Sequence, residues 1–265
     1  MFLIHYFYKM RIAFYLLFFI SSISYSQTKI SAFKNGEFLK YKLSYGLINA
    51  GFATLEIENH FENETEMFHV IGKGWTTGMT DLFFSVQDNY ETYFTKNSIL
   101  PYRFIRKIDE GGYTKDKETL FDFTNNSATV IDHKKGKKKS FAIHDNVQDM
   151  LSSLYYLRTI DFANLKEGAI INIDMFLDDE IYQLQLILKA REIIKFNKKK
   201  IKTLILQPTV QEGRIFKSNE SVTFWISDDM NKIPLKIKAS ILVGSIKAEL
   251  IEYKGLANPM PLIFN

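Results

Sequence analysis

The chain lacks cysteine entirely and has only 5 Pro, 13 Gly and 2 Trp in 265 residues. The absence of cysteine excludes disulfide frameworks, thiolate zinc sites, iron–sulfur clusters and cysteine nucleophiles. The low Pro and Gly counts exclude collagen-like and low-complexity chains, and a 46% hydrophobic share is too high for a disordered protein. Aromatic residues are abundant instead, with 23 Phe and 14 Tyr. A chain of this size and composition can bury a large core.

The N-terminal segment has the layout of a secretory signal. Lys9 and Arg11 precede an apolar run over residues 12–20, and small or polar residues fill 21–26. The run is about half of the ~20 residues that a membrane-spanning helix needs, which favours a cleaved peptide over a permanent anchor. We therefore expect an exported protein, in the periplasm or at the periplasmic face of the outer membrane, with a mature N-terminus at Gln27. No cysteine is available for lipidation, which excludes a lipoprotein.

The translation start and the charge follow from the same segment. Met10 with Arg11 makes a more ordinary signal start than Met1, so initiation at Met10 is our hypothesis. Loss of residues 1–26 removes Lys9 and Arg11 and no acidic residue, which lowers the formal charge from +4 to +2. A nearly balanced, exported chain gives no support for nucleic-acid binding.

Most of the remaining chain, 27–265, follows the period-two pattern of half-buried strands. In Phe38–Tyr45, for example, Leu39 and Tyr41 alternate with lysines. We count about a dozen strands, joined by short polar turns such as Asn125-Asn126 and Lys135-Gly136-Lys137. The runs are 38–45, 51–58, 67–72, 86–94, 102–108, 113–123, 128–132, 140–143, 170–176, 182–190, 202–207, 221–226, 235–240 and 245–253.

One segment has helical spacing. Residues 147–158 place apolar side chains on one face, with Asn146 as the expected N-cap and Arg158 at the C-terminal end. A shorter helical turn over Thr76–Phe84 is a less regular candidate. Sequential hairpins imply antiparallel pairing, and a sheet this wide must curl. We therefore predict a mainly β, single-domain protein whose strongly curved antiparallel sheet forms a barrel or half-barrel with one amphipathic helix.

Catalytic and cofactor motifs are missing from the sequence. The chain after residue 26 has four histidines, His60, His69, His133 and His144, and none has helical zinc-site spacing. Nucleophile elbows and phosphate-binding glycine loops are also absent. We interpret His69 as a cross-strand or core residue. His133 and His144 could be neighbours across the lysine-rich hairpin and hold a metal, but solvated hairpin residues are the favoured interpretation. We expect no enzyme activity, no cofactor and no metal.

Two acidic pairs and two lysine-rich runs remain. Asp178-Asp179 and Asp228-Asp229 each follow a predicted strand and could act as acid and base or bind Ca²⁺, but an acidic hairpin turn explains them more simply. The lysine-rich runs are Lys134–Lys139 and Lys198–Lys202, and the first could contact anionic lipid or polysaccharide. Solvated hairpin tips that protect a sheet edge are the favoured interpretation of the first run.

Several ordered motifs resemble a bacterial family known as domain of unknown function 3108 (DUF3108), over about residues 33–255. The residues that carry the resemblance are Gly36-Glu37, Tyr41, Tyr45-Gly46, Ala50-Gly51, Asp88, Tyr90-Glu91, Pro101, Glu110-Gly111, Asp149–Arg158, Trp225–Asp229, Ile233-Pro234 and Val243–Ile246. Asp178-Asp179-Glu180 departs from the Asp-Gly turn usual at that place. The resemblance implies β-rich exported proteins of Gram-negative bacteria without an established activity, and the composition of the signal is similar to that of Bacteroidetes proteins.

These observations favour a non-enzymatic binding or envelope-assembly role. A curled sheet lined by Phe and Tyr can enclose an apolar cavity, so a lipophilic ligand is the first hypothesis, although no ligand-binding residue can be named. The second is an interaction module that binds another envelope protein through a sheet edge or the helix region. The third is a hydrolase that uses Asp228 or Asp229 with His69 or His144.

Overall fold

The computed structural model describes residues 31–62, 64–209, 222–240 and 244–263. The predicted signal segment lies outside them, as do parts of the run 221–226 and of the motif 243–246. The described chain forms fourteen strands and two helices. These are β1 (Phe38–Tyr45), β2 (Ile48–Glu62), β3 (Thr65–Thr76), α1 (Gly78–Phe83), β4 (Val86–Thr95), β5 (Pro101–Glu110), β6 (Tyr113–Asp122), β7 (Ser127–Asp132), β8 (Lys137–Ala142), α2 (Met150–Thr159), β9 (Ile170–Leu177), β10 (Glu180–Phe196), β11 (Lys199–Pro208), β12 (Val222–Ser227), β13 (Pro234–Ser240) and β14 (Ser245–Lys254).

All fourteen strands belong to one antiparallel sheet, which confirms the predicted fold class. Their order is β8-β7-β6-β5-β4-β3-β2-β1-β14-β13-β12-β11-β10-β9, so β1 and β14 pair in the middle of the sheet. Every predicted run overlaps one of these strands. In the described residues the edge strands β8 and β9 do not pair with each other, and the sheet is a half-barrel.

Side chains hold the β9 end of the sheet against the opposite half. Phe176 of β9 packs on Phe121 and Phe141, with ring centroids 6.1 and 5.7 Å away. The β9–β10 turn places Asp178 against β5 and β6, where its carboxylate lies 2.8 Å from Arg106 and 3.2 Å from Lys115. The sheet therefore rolls up without closing its hydrogen-bond ladder.

The acidic β9–β10 turn keeps hairpin geometry without glycine. Asp178 and Asp179 have φ of 48° and 75°, in the left-handed region that Asp tolerates. The Asp178 carboxylate pairs with cations across the seam rather than capping its own hairpin. Burial raises the pKa of Asp178, but the surrounding Arg106 and Lys115 outweigh it and leave this pKa below its usual value.

The two edges are protected differently. The β8 edge is lysine-rich and mostly exposed, which fits the predicted solvated hairpin and opposes pairing with another chain. The β9 edge is partly covered, because Gln148 forms a parallel bridge to Met175 just before α2 begins. This bridge also fixes where the helix enters the half-barrel.

Helix α2 begins three residues later than the sequence predicted. Its N-cap is Asp149, whose carboxylate accepts hydrogen bonds from the backbone N–H groups of Leu151 and Ser152. The Ser152 hydroxyl in turn accepts from the Asp149 N–H, which completes a capping box. Asn146 is not the N-cap: its φ of 66° places it in a turn before the helix.

Arg158 fixes the other end of α2 and is fully buried. Its guanidinium forms a two-pronged pair with Glu37, at 2.6 and 2.8 Å, and donates to the carbonyls of Ala32 and Asn231. It also lies over the Phe33 ring, 5.1 Å from the centroid. One side chain thus joins the helix, the segment before β1 and the β12–β13 turn.

Asp149 is the buried acidic group at the start of α2. Burial raises the pKa of its carboxyl to about 6, even though Thr92, Ser152 and Leu151 donate to it. The helix is therefore fixed at both ends by buried charged or titratable groups, and its middle packs on the apolar side chains of the sheet.

Removal of one partner of the buried ion pair should strongly destabilise the fold. We expect Arg158→Ala and Glu37→Gln each to lower the free energy of unfolding by about 3–5 kcal/mol, because the remaining charge stays buried without its partner. Denaturant unfolding measures the change. Lys254→Ala, which removes an exposed pair with Glu252, is the control and should leave stability unchanged. Equal effects of Arg158→Ala and the control would contradict this role.

Asp149 should give stability a specific pH dependence. Its folded pKa lies above the unfolded value of 3.8, so the unfolded state ionises first and the free energy of unfolding falls between about pH 4 and pH 6. Asp149→Asn keeps the cap and cannot ionise, so its stability relative to wild type should rise by about 3 kcal/mol over that interval. Urea unfolding across pH tests this, with Asp145→Asn on an exposed turn as control. Parallel profiles of wild type and Asp149→Asn would exclude the effect.

Candidate functional site

An apolar cavity of about 260 Å³ lies between α2 and the inner face of the sheet. Strands from both sides of β1 contribute to it, together with Leu151 and Leu154 of the helix. Several of its apolar side chains are only half-buried, so the cavity communicates with solvent. The lining residues are Tyr41, Ala53, Thr54, Leu55, Gly72, Lys73, Gly74, Asp88, Tyr90, Leu151, Leu154, Pro234, Ile237 and Ala248.

Strand register explains why this space is left unfilled. The inward-facing residues of β2, β3 and β4 form rows across the sheet, and the helix starts at the third row, where Thr92 donates to Asp149 at 2.5 Å. The two rows above it border the cavity, and Gly72 in the second of them also lies against Leu151 of the helix. The three rows, from the cavity downward, are Ala53/Gly74/Asp88, Leu55/Gly72/Tyr90 and Ile57/Val70/Thr92.

Small residues on β3 make the volume. A Cβ added at Gly72 would lie 3.2 Å from a Leu55 methyl and 3.5 Å from Leu151, which is already tight. A Cβ added at Gly74 would meet only the Cβ of Asp88, at 4.0 Å. Gly72 thus lets the helix approach the sheet, and Gly74 keeps the space beside it open.

Asp88 contributes a carboxylate to the first row of lining residues, Ala53/Gly74/Asp88. Burial, with the nearby Glu110, raises the pKa of Asp88, although its oxygen accepts a hydrogen bond from the Asp109 N–H at 3.3 Å. Thr54 and Lys73 also border the cavity, at positions where strand alternation directs side chains to the outer face. The inner surface is therefore almost entirely apolar.

The four histidines lie apart from this cavity. His69 contacts Glu91 of the neighbouring strand at 2.9 Å and stacks on Tyr93, as expected for a cross-strand residue. His60 pairs with Glu62 at 3.2 Å. They supply no acid or base to the cavity.

The suggestion that His133 and His144 are neighbours is wrong. The β7–β8 register pairs Asp132 with Lys137 and Ser127 with Ala142, so the two histidines flank opposite ends of this hairpin. His133 contacts Glu118 at 3.1 Å, and His144 lies 3.4 Å from Asp174. In the described ranges no cluster of three or more His, Asp or Glu side chains could hold a metal ion.

The Asp228-Asp229 pair forms a turn beside an open depression of about 500 Å³. Asp229 accepts hydrogen bonds from the Ser227 hydroxyl and from the N–H groups of Asn231 and Lys232. Asp228 lies 3.7 Å from Arg191. Both carboxylates therefore have structural partners, as the turn interpretation predicted, and the histidines named for a hydrolase contact other residues.

Sequence reasoning anticipated an apolar cavity lined by Phe and Tyr, but not its position or its lining, which includes Tyr41 and Tyr90 and no Phe. Glycines at alternate positions of a strand, as at Gly72 and Gly74, do signal a close backbone approach or missing side-chain volume. Their meaning depends on where α2 crosses the sheet, which no local pattern reveals. Ala53 and Ala248, small residues at inward positions, gave the same kind of signal.

The fold is similar to that of a solved structure. It is the crystal structure of a beta-barrel-like protein of domain of unknown function DUF1849 from Brucella abortus, at 12% sequence identity and a TM-score of 0.58. The match covers 84% of this chain and 99% of that chain. No functionally curated protein matches the sequence significantly. Within the described ranges, no helix is both long and apolar enough to cross a membrane.

The sequence also matches a family model described as protein of unknown function (DUF3108), over residues 40–251. This range includes every strand from β2 to β13, both helices and the whole lining of the cavity. The match agrees with the resemblance over residues 33–255 that the sequence motifs indicated. The chain therefore belongs to the DUF3108 family.

Proposed function

We propose that this is an exported, non-enzymatic protein of the cell envelope that binds a lipophilic ligand between α2 and the sheet. The observation that carries the proposal is the apolar cavity of about 260 Å³. An apolar cavity of about 150 Å³ is enough to bind benzene in another protein. The larger volume here suits a segment of an acyl chain.

The lining supports binding rather than core packing. Leu55, Leu154 and Ile237 are half-buried although they face the interior of a folded domain. Exposure of these side chains to water is unfavourable. An acyl chain that covered them would gain about 25 cal/mol of binding free energy per Å² of apolar surface buried. The half-barrel with its helix is thus a preformed apolar site.

The geometry is less favourable to an interaction module that recruits another envelope protein by strand addition. The free edge β8 begins with three lysines, and the β9 edge is partly paired with Gln148. A lysine-rich edge opposes pairing with a further strand. This observation favours the ligand over a protein partner at the edges.

Export is supported by the signal-like pattern of residues 1–26. Intact-mass measurement of protein recovered from the envelope fraction should give a chain that begins at Gln27. A chain that retains residues 1–26 would contradict the proposed cleavage.

Filling the cavity should abolish ligand binding. In Gly74→Leu the added side chain has room to enter the cavity, so the fold should survive while the ligand volume is lost. We expect wild type to bind the fluorescent probe N-phenyl-1-naphthylamine, and dodecanoate to displace it. The affinity of Gly74→Leu for both should be lower by at least about tenfold.

Ala142→Leu, on the exposed edge strand β8, is the matched control and should bind as wild type does. Circular dichroism and unfolding curves establish that both variants are folded. Unchanged probe affinity in folded Gly74→Leu, or no probe binding by wild type, would overturn the proposed function.

A further inference from the structure

One end of the half-barrel concentrates exposed apolar side chains. We call this end the rim; it is formed by the β1–β2, β3–β4, β5–β6 and β13–β14 connections. The strand ends at these connections are neighbours in the sheet, as the paired residues show: Tyr45↔Ile48, Gly51↔Thr76, Val86↔Glu110 and Tyr45↔Ile246. Of the sixteen large hydrophobic residues exposed in the described chain, nine lie there. They are Tyr45, Leu47, Ile48, Met79, Leu82, Phe83, Phe84, Tyr113 and Ile246.

The exposure at the rim is extensive. Leu47 at the β1–β2 tip is fully exposed, and Leu82 and Phe83 of α1 are 78% and 83% exposed. None of the six residues of α1 is buried. A helix of this length has little stability of its own in water, and it usually depends on burying an apolar face. The apolar side chains of α1 therefore lack cover from the described fold.

Lysines flank these tips. Residues 42–48 and 244–248 contain Lys42 and Lys247 and no carboxylate. The β7–β8 turn brings exposed Lys134 and Lys135 to the same end, since Lys117 pairs with Asp132. Lys42 lies opposite Glu249 of β14, whereas Lys247 lies opposite Lys238 of β13. The excess positive charge is therefore beside the β13–β14 tip and, through Lys134 and Lys135, at the β8 edge of the rim.

The rim also carries carboxylates, which lie in α1 and at the β5–β6 connection. Asp81 accepts a hydrogen bond from the Thr76 hydroxyl at 2.7 Å, and Asp109 accepts from the Gly112 N–H at 3.1 Å. Glu110 lies close enough to Asp88 to raise the pKa of that residue. These acids sit on the β3–β4 and β5–β6 side, away from the β1 and β14 tips.

We propose that the rim docks on an anionic phospholipid bilayer, with Leu47, Ile48 and Phe83 inserted among the headgroups. Apolar side chains on separate tips, with lysines beside the β13–β14 tip, suit a fluid surface that needs no matching shape. The docking proposal rests on the residues of the rim and does not require the ligand site. It extends the proposed function, because the cavity begins about two residues below the rim, at the row Ala53/Gly74/Asp88, so an acyl chain would have a short path to it.

Vesicle co-sedimentation tests the docking surface. Wild type should sediment with vesicles of phosphatidylglycerol and phosphatidylcholine, less with phosphatidylcholine alone, and less at high salt. The double variant Leu47→Ser/Phe83→Ser should bind at least about tenfold more weakly, since two exposed apolar side chains no longer enter the bilayer. Both substitutions are at exposed positions, so the fold should be unaffected.

Phe61→Ser/Ile193→Ser is the matched control, because both side chains are exposed at the opposite end of the sheet and are similarly apolar. It should bind as wild type does, and any contribution of residues 1–30 is common to all three proteins. Lys42→Gln/Lys247→Gln should lose the preference for anionic vesicles. Equal binding by the rim variant and wild type, or a protein partner captured through the rim without vesicle binding, would overturn the proposal.

Gly74→Leu separates this inference from the proposed function. Its rim is intact, so it should bind vesicles as wild type does while losing the fluorescent probe. Vesicle binding without probe binding in wild type would contradict the ligand site and leave the docking surface supported. Probe binding without vesicle binding would contradict the docking surface and leave the ligand site supported.

Discussion

The buried ion pair between Arg158 and Glu37 sets the position of helix α2 and thereby the shape of the whole interior. Burying two charges is costly unless the geometry is good and the remaining hydrogen-bond donors are used. Here the guanidinium meets both carboxylate oxygens and two backbone carbonyls. The pair lies near the end of the half-barrel where β1 begins. Together with the Asp149 cap, this ion pair holds the helix in the half of the interior that is farther from the rim.

The cavity is the consequence of that placement. A helix fixed low in the half-barrel covers the inner rows from Thr92 downward and leaves the rows of Tyr90 and Asp88 only partly covered. Large side chains could have filled this space, but Gly74, Ala53 and Ala248 occupy the inward positions. The apolar volume thus lies between the helix and the rim. The proposed membrane contact and the proposed ligand site thus share one end of the molecule.

Much of the fold was readable from the sequence because a half-buried strand records its two faces in every second residue. The Asn126 and Gly136 turns were recognised from residues that tolerate positive φ, and both have it. The start of α2 was misplaced because Asn146 and Asp149 are both good N-caps, and only Ser152, three residues after Asp149, distinguishes them. The partnership of Arg158 with Glu37 joins positions 121 residues apart and has no local signature. Apolar residues in turns, such as Leu47, are the local sequence signal of the rim.

The most direct test of the account is methyl-labelled NMR of the protein with dodecanoate. Intermolecular nuclear Overhauser effects should connect the acyl chain to methyl groups of Leu55, Leu151, Leu154 and Ala248, while methyl groups near Arg158 keep their shifts. Contacts confined to the exposed methyl groups of the rim, or no contacts at all, would contradict a ligand site between α2 and the sheet.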